Sequence, residues 1–118
     1  MDIYTAHYRY SGTDRLDITV KSATPPGSVL APTWEMVKRY KDGTLDQWQY
    51  TIKYFAKLVD RMYRAGDREQ KMLDAILTDR KSLTLVCFCP VGEFCHRILA
   101  ARMLEDIGYG RYVGERQL

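Results

Sequence analysis

The spacing of apolar and polar positions changes several times along the chain, and each change marks an element. Ile3 to Tyr8 is apolar and aromatic and reads as a first strand, followed by the turn residues Ser11-Gly12-Thr13-Asp14. From Arg15 to Val20 the pattern alternates, with Leu16, Ile18 and Val20 on one face, as in a half-buried strand. So short a link favours antiparallel pairing of the two, because a parallel crossover usually takes about a dozen residues. Lys21 to Pro32 holds Pro25, Pro26, Gly27 and Pro32 and has no period. It is a loop, as compatible with a ligand-facing segment as with a passive connector.

Helical spacing follows. Thr33 is placed to N-cap a short helix to about Tyr40, with Glu35 in its first turn, and Gly43 ends it. Thr44-Leu45-Asp46-Gln47 fits a capping box. Trp48, Ile52, Phe55, Val59 and Met62 then recur at alternating helical steps, predicting one buried stripe through about Arg64. Ala65-Gly66-Asp67 interrupts, and a further helix through about Thr78 would bury Met72, Leu73, Ile76 and Leu77. Leu83 to Phe88 is a nearly unbroken apolar run, the mark of a central strand covered by helices on both sides. A loop from Cys89 to Glu93 leads into a helix from Phe94 to Ile107, burying Ile98, Leu99, Ala101 or the Arg102 stem, Met103 and Ile107, with Gly108 suited to the C′ position. Arg111-Tyr112-Val113 fits a last short strand. The order predicts an α/β fold, a three-layer sandwich with a small, mostly parallel or mixed sheet flanked by helices.

Composition adds limits. The 118 residues are enough for one domain, spanning 1–118, and too few for two independent cores. A net charge of +3 is too mild to argue for a nucleic-acid binder, but it suits a pocket for a small anion. The basic residues Lys53, Lys57, Arg61, Arg64 and Arg68 are interleaved with Asp46, Asp60, Asp67 and Glu69, as on a solvated helix face. The longest uncharged stretches, Ser22–Trp34 and Ser82–Gly92, fall short of the ~20 apolar residues a membrane span needs. The chain opens Met1-Asp2-Ile3-Tyr4 without a basic or cleavable apolar leader, so a cytoplasmic protein is expected, with no membrane partner. Three cysteines crowded between Cys87 and Cys95 fit that compartment better than a secreted disulfide scaffold does.

The candidate chemistry lies in Cys87-Phe88-Cys89-Pro90-Val91-Gly92-Glu93-Phe94-Cys95-His96-Arg97. A buried strand runs through a tight loop into a helix, the place where α/β sheets bind ligands and where free backbone N–H groups attract anions. Arg97 offers a planar fork for phosphate or carboxylate, and Gly92 lets the backbone come close to a ligand. Glu93 and Cys89 stand in the same loop. Lys21 and Ser22 could converge on the rim, and Trp34 could wall a pocket, as could Tyr8, Tyr50 or Tyr54. Each has a plainer alternative: Arg97 as a bridge to an acid such as Glu93 or Asp17, Lys21 and Ser22 as an exposed turn, Trp34 as packing for the short helix. Cys95 beside His96 and Arg97 is set for a nucleophile, against the more usual fate of a free cysteine as a small buried hydrophobe. His96 could carry protons or simply hold backbone. Cys87 reads as core. Zinc on Cys87, Cys89, Cys95 and His96 is disfavoured, because the spacing is not a paired-Cys pattern and the residues do not converge readily, so neither metal nor cofactor is expected.

The segments Leu85-Val86-Cys87-Phe88-Cys89 and Cys95-His96-Arg97 resemble the domain of unknown function 488 family. Arg15–Ser22, Leu30–Trp34, Tyr40–Gly43 and Tyr112–Glu115 extend the resemblance over most of the chain, as a short-form branch. It implies a small α/β fold with a mostly parallel sheet, and larger members carry a helix between the first two strands where this chain has only a turn. It implies no reaction. The loop-to-helix design is also similar to that of low-molecular-weight phosphatases and rhodaneses, but neither Cys89 nor Cys95 stands at their Cys-to-Arg spacing, so that likeness is architectural only. Two functions are therefore expected in order. The first is binding of a phosphorylated small molecule, a nucleotide or its derivative, by a sensor or sequestering protein. The second is a cysteine-dependent enzyme on a phosphoryl or glycosyl-type substrate, with Cys95 or Cys89 as nucleophile and His96 as proton carrier. Self-association is left open.

Overall fold

The structure, a computed structural model, describes residues 1–62, 68–90 and 92–117. Strands β1 (Asp2–His7), β2 (Arg15–Asp17), β3 (Ser82–Cys87) and β4 (Arg111–Glu115) form one sheet in the order β2-β3-β1-β4, and every pair is parallel. Helices α1 (Trp34–Lys41), α2 (Gln47–Met62), α3 (Arg68–Asp79) and α4 (His96–Asp106) complete an α/β fold, with a short 3-10 helix at Gly27–Leu30. Among the described residues no helix is long and apolar enough to cross a membrane.

The expected antiparallel pairing of the first two strands is overturned. β1 and β2 do not pair with each other; each lies parallel to β3, on opposite sides of it. The reason is stagger. β1 ends level with Cys87, and β2 begins level with Thr84. The chain therefore needs to drop back only ~10 Å at strand rise, which seven loop residues manage without a helix. The Arg15 guanidinium pins this return by donating to the carbonyls of Tyr8 and Tyr10 at 2.9 and 2.8 Å.

β3 is buried along its length, as its apolar run requires. Leu83 and Leu85 join Ile3 of β1 and the helices in one core with Tyr54, Leu58, Leu73, Leu77, Ala101 and Leu104. On the alternate side, Thr84 receives cover from loop and C-terminal side chains. Its hydroxyl donates to Asp14 at 2.9 Å and accepts from Arg116 at 3.0 Å, and the Arg116 guanidinium lies 3.7 Å from the Tyr4 ring centre.

Thr33 caps α1 as expected, its hydroxyl accepting from the Met36 N–H at 3.2 Å. The capping box of α2 is real but sits two residues on: Asp46 and Gln49 exchange side-chain-to-backbone bonds of 2.8 and 3.0 Å. The stripe expected to be buried on α2 is not. Trp48, Ile52 and Val59 are half or more exposed, and the buried face is Tyr50, Tyr54 and Leu58. Two apolar stripes compete on that helix, and on the buried one Tyr54 satisfies its hydroxyl by donating to the Leu30 carbonyl at 2.5 Å, while Tyr50 packs edge-on against Tyr40 and Phe94. The Met62 side chain and the break at Ala65-Gly66-Asp67 lie outside the described residues. On α3 Leu73 and Leu77 are buried, while Met72 is exposed. α4 begins at His96 rather than Phe94; it buries Ala101 as expected, with Arg97, Ala100 and Leu104 beside it, while Ile98 is only partly buried, as are Leu99 and Met103 against the core. The small alanines let this helix sit close on β1 and β3, and Ile107 is left exposed.

Candidate functional site

β3 delivers Cys87 and Cys89 to the carboxyl end of the sheet, and α4 starts there. Cys95 is the N-cap of α4, with extended backbone (φ −155°, ψ 149°) and no side-chain cap bond. That extended residue turns its thiol back toward the strand. The Cys87 and Cys95 Sγ atoms are 2.6 Å apart, and the sulfurs of Cys87, Cys89 and Cys95 all lie within 4.8 Å of one another. All three cysteines are free; Cys87 and Cys95 are buried and Cys89 is half-buried. The expectation that Cys87 belongs to the core is met in burial, yet its sulfur belongs to this cluster, and sequence spacing gave no sign of the convergence.

Arg97 is fully buried and faces inward. Its Nε and Nη2 form a bidentate pair with Glu115 of β4 at 3.0 and 2.6 Å. Its Nη1 donates to the Cys89 carbonyl at 2.8 Å and to Cys87 Sγ at 3.0 Å, and is 3.9 Å from Cys95 Sγ. The bridge to an acid foreseen as the plainer alternative therefore exists, but to Glu115, which no local pattern singled out. The guanidinium secures the Cys89–Pro90 turn and sets a cation beside sulfur.

That cation has an electrostatic result. Hydrogen bonds from the Cys89 and Cys95 thiols, against the cost of burial and with a smaller contribution from the charge of Arg97, hold the Cys87 thiol far below its ordinary range. The same hydrogen bonds hold the protons on their donors, with burial and the Cys87 charge adding to the effect: Cys89 is pushed up to about 11 and Cys95 is raised well above its ordinary value. Ionisation of the cluster is thus favoured at Cys87, the sulfur that accepts from both neighbouring thiols and from Arg97.

His96 Nε2 lies 2.7 Å from the Ile18 carbonyl, which only accepts, so this nitrogen carries the proton and Nδ1 faces Cys95 Sγ at 3.7 Å. Burial lowers the His96 pKa and keeps the ring neutral. It holds the chain just after β2 against α4.

The cluster forms part of the lining of a cavity of about 400 Å³, within the range of small-molecule sites. Thr19, Val20 and Lys21 form one side of it, Trp34, Val37 and Tyr40 another, and Tyr50, Phe88 and Phe94 add aromatic surface. Lys21 Nζ stands 5.3 Å from the Trp34 ring centre. Of the residues singled out from sequence, Lys21, Trp34, Tyr50, Cys89, Glu93, Cys95 and His96 line this cavity. Five others do not. Arg97 is committed beneath it. Ser22 donates to Asp17 Oδ2 at 2.6 Å and lies outside. Gly92 supplies a turn at φ 86°, a conformation that favours glycine. Tyr8 instead stacks on Phe88 with ring centres 4.1 Å apart, and Tyr54 is enclosed in the core. Tyr40, Tyr50, Phe88 and Phe94 meet through packing of separate elements, which no short-range pattern announces.

No curated protein and no solved structure matches the chain. A family model does, over residues 2–108, and its description is DUF488-N3a, the active DUF488-N3 subclade. That match takes in β1, the cavity walls, the whole thiol loop and α4. With the Cys87–Arg97 segment in the place its resemblance implied, the chain belongs to the DUF488 family.

Proposed function

We propose that this protein is a cysteine-dependent enzyme acting on a nucleotide-like small molecule, with the thiolate centred on Cys87 as its nucleophile. The observation that carries this reading is the Arg97 guanidinium 3.0 Å from a cysteine sulfur that borders an aromatic-walled cavity. A buried free cysteine is ordinarily an inert small hydrophobe. A thiolate stabilised by a buried cation and set against a cavity is the arrangement of a reactive one. The description of the matching subclade as active supports turnover as well.

Binding of the same class of ligand without chemistry is the second reading, and the aromatic walls and Lys21 serve it equally. Its strongest support in the sequence was an anion cradle built on Arg97. With that guanidinium engaged by Glu115, Cys87 and the loop carbonyls, the balance moves to the thiol. The same fact favours glycosyl over phosphoryl transfer. A transferring phosphoryl group calls for cations around its oxygens, and Lys21 and Lys41 at the cavity wall are a modest supply. In the glycosyl reaction the Cys87 sulfur forms a bond to the anomeric carbon. The bond to the leaving group breaks with its electron pair, and a neighbouring thiol gives that group a proton. Water then displaces the Cys87 sulfur as a thiolate, and the water's proton passes by way of Glu93 to the neighbouring sulfur that protonated the leaving group, so the cluster returns to its starting state with one thiolate. Aromatic side chains would hold the leaving base. A reducing, cytoplasmic compartment suits three free thiols in one cluster.

The test is incubation with a panel of nucleosides and nucleotides, followed by chromatography and mass spectrometry. Base and sugar products are expected from the wild type, with turnover falling by several orders of magnitude in Cys87→Ser. Quenching of tryptophan fluorescence, through Trp34, reports whether the variant still binds. Intact ligand recovered from denatured wild type, with no product, would establish sequestration instead.

A further inference from the structure

We propose that Cys87 and Cys95 are a redox-active dithiol that closes to a reversible disulfide on reaction with small oxidants of the peroxide class. The two sulfurs face each other at 2.6 Å, one from the end of β3 and one from the N-cap of α4. A disulfide needs them about 2.05 Å apart, so a small rotation of either side chain closes the pair. Both cysteines border the cavity, which gives a small oxidant a route to them.

The charges around the pair favour closure too. Glu115 binds Arg97 bidentately, at 3.0 and 2.6 Å, independently of the sulfurs. Discharging the Cys87 thiolate therefore leaves the guanidinium still neutralised, and no unpaired charge is left buried. Before oxidation the same guanidinium donates to the Cys87 sulfur at 3.0 Å, which favours the thiolate that starts the reaction.

The step balances as follows. The Cys87 thiolate attacks one peroxide oxygen; the S–O bond forms, the O–O bond breaks, and the departing hydroxide takes the Cys95 proton to become water. The Cys95 thiolate then attacks the Cys87 sulfur. The S–S bond forms, the S–O bond breaks, and the second hydroxide takes a proton from solvent. Two electrons pass from the dithiol to the peroxide, and two waters leave. Cys89, half-buried and within 4.8 Å, is the competing partner, and any test must tell it from Cys95.

The inference stands apart from the proposed reaction, because its readout is mass and not turnover. The reduced full chain is treated with hydrogen peroxide, quenched, and its free thiols alkylated after unfolding. The mass expected is that of the chain less two hydrogens, with one alkylated cysteine, Cys89. Dithiothreitol should restore three. Trypsin leaves all three cysteines on the peptide Ser82–Arg97, so cleavage after Glu93 is used to separate Cys95 from the other two. The Cys95 fragment should stay joined to the Cys87 fragment until reduced, and Cys89→Ser should give the same linkage. A link from Cys89 to either neighbour in the wild type would overturn the proposal. So would oxygen added to a cysteine with no link formed, or three free thiols after treatment.

Discussion

Arg97 has two anionic neighbours inside the protein, and removing them singly and together tests whether both neutralise it. Glu115→Gln keeps the shape of the side chain and one acceptor, but removes the carboxylate that receives Nε and Nη2. Cys87→Ser replaces the thiolate at 3.0 Å with a neutral hydroxyl. Each charged hydrogen-bonding partner contributes about 1.5–3 kcal/mol, so each single change should destabilise by that order while the other anion still faces the guanidinium. The Arg97 side chain is fully buried, so the double variant leaves a charge without a counter-ion, a defect of about 3–5 kcal/mol on its own. The double change should therefore exceed the sum of the singles by roughly 1–2 kcal/mol. Urea unfolding followed by tryptophan fluorescence, with equal slopes across the four proteins, measures this directly. Effects that add to within about 0.5 kcal/mol would mean that Arg97 does not feel the Cys87 charge, and the thiolate assignment would fall with it.

Three further outcomes are expected. Reaction of the native cluster with a small alkylating probe should be nearly independent of pH from 6 to 8 (a span over which an ordinary thiol of pKa about 8.5 gains reactivity more than tenfold), because Cys87 is held far below its ordinary range; a tenfold rise across that range would place the charge elsewhere. Stability should fall as pH drops, in two stages. His96 has a lowered pKa, so the unfolded chain binds its proton first, from about 6.5 downward, and Glu115 is held below its usual carboxylate range by Arg97 against the opposing cost of burial, so its contribution is lost on further acidification through that lower folded value; urea midpoints that rise between pH 7 and 5 would contradict the first stage, and midpoints that do not fall further below about pH 4 would contradict the second. Tyr54→Phe should cost about 1–2 kcal/mol by leaving the Leu30 carbonyl unsatisfied, whereas Trp48→Ala, on the exposed stripe of α2, should stay within about 0.5 kcal/mol.

The sequence by itself determined the parts that rest on local chemistry. The apolar run Leu83–Phe88 had to be a central strand, Thr33 had to cap a helix, and Cys87 to Arg97 had to be a strand–loop–helix turn at the carboxyl end of a sheet. The family likeness followed from those same residues. Tertiary structure decided the rest, because each remaining question was a competition between alternatives of similar local merit. Whether β1 and β2 pair depends on a stagger of register against β3, not on the length of their link. Which stripe of α2 is buried depends on which side chains find hydrogen-bond partners in the 3-10 segment. Arg97 could read as a ligand contact only while Glu115, far along the chain on β4, was not yet beside it. Cys87 could read as a core residue only while the extended backbone of Cys95 had not yet turned a second thiol toward it. Spacing along the chain gives direction within one element. The charge state of a sulfur is set by what other elements bring within about 4 Å, where charges in a low-dielectric interior interact strongly, and that distance exists only once the sheet and α4 have packed.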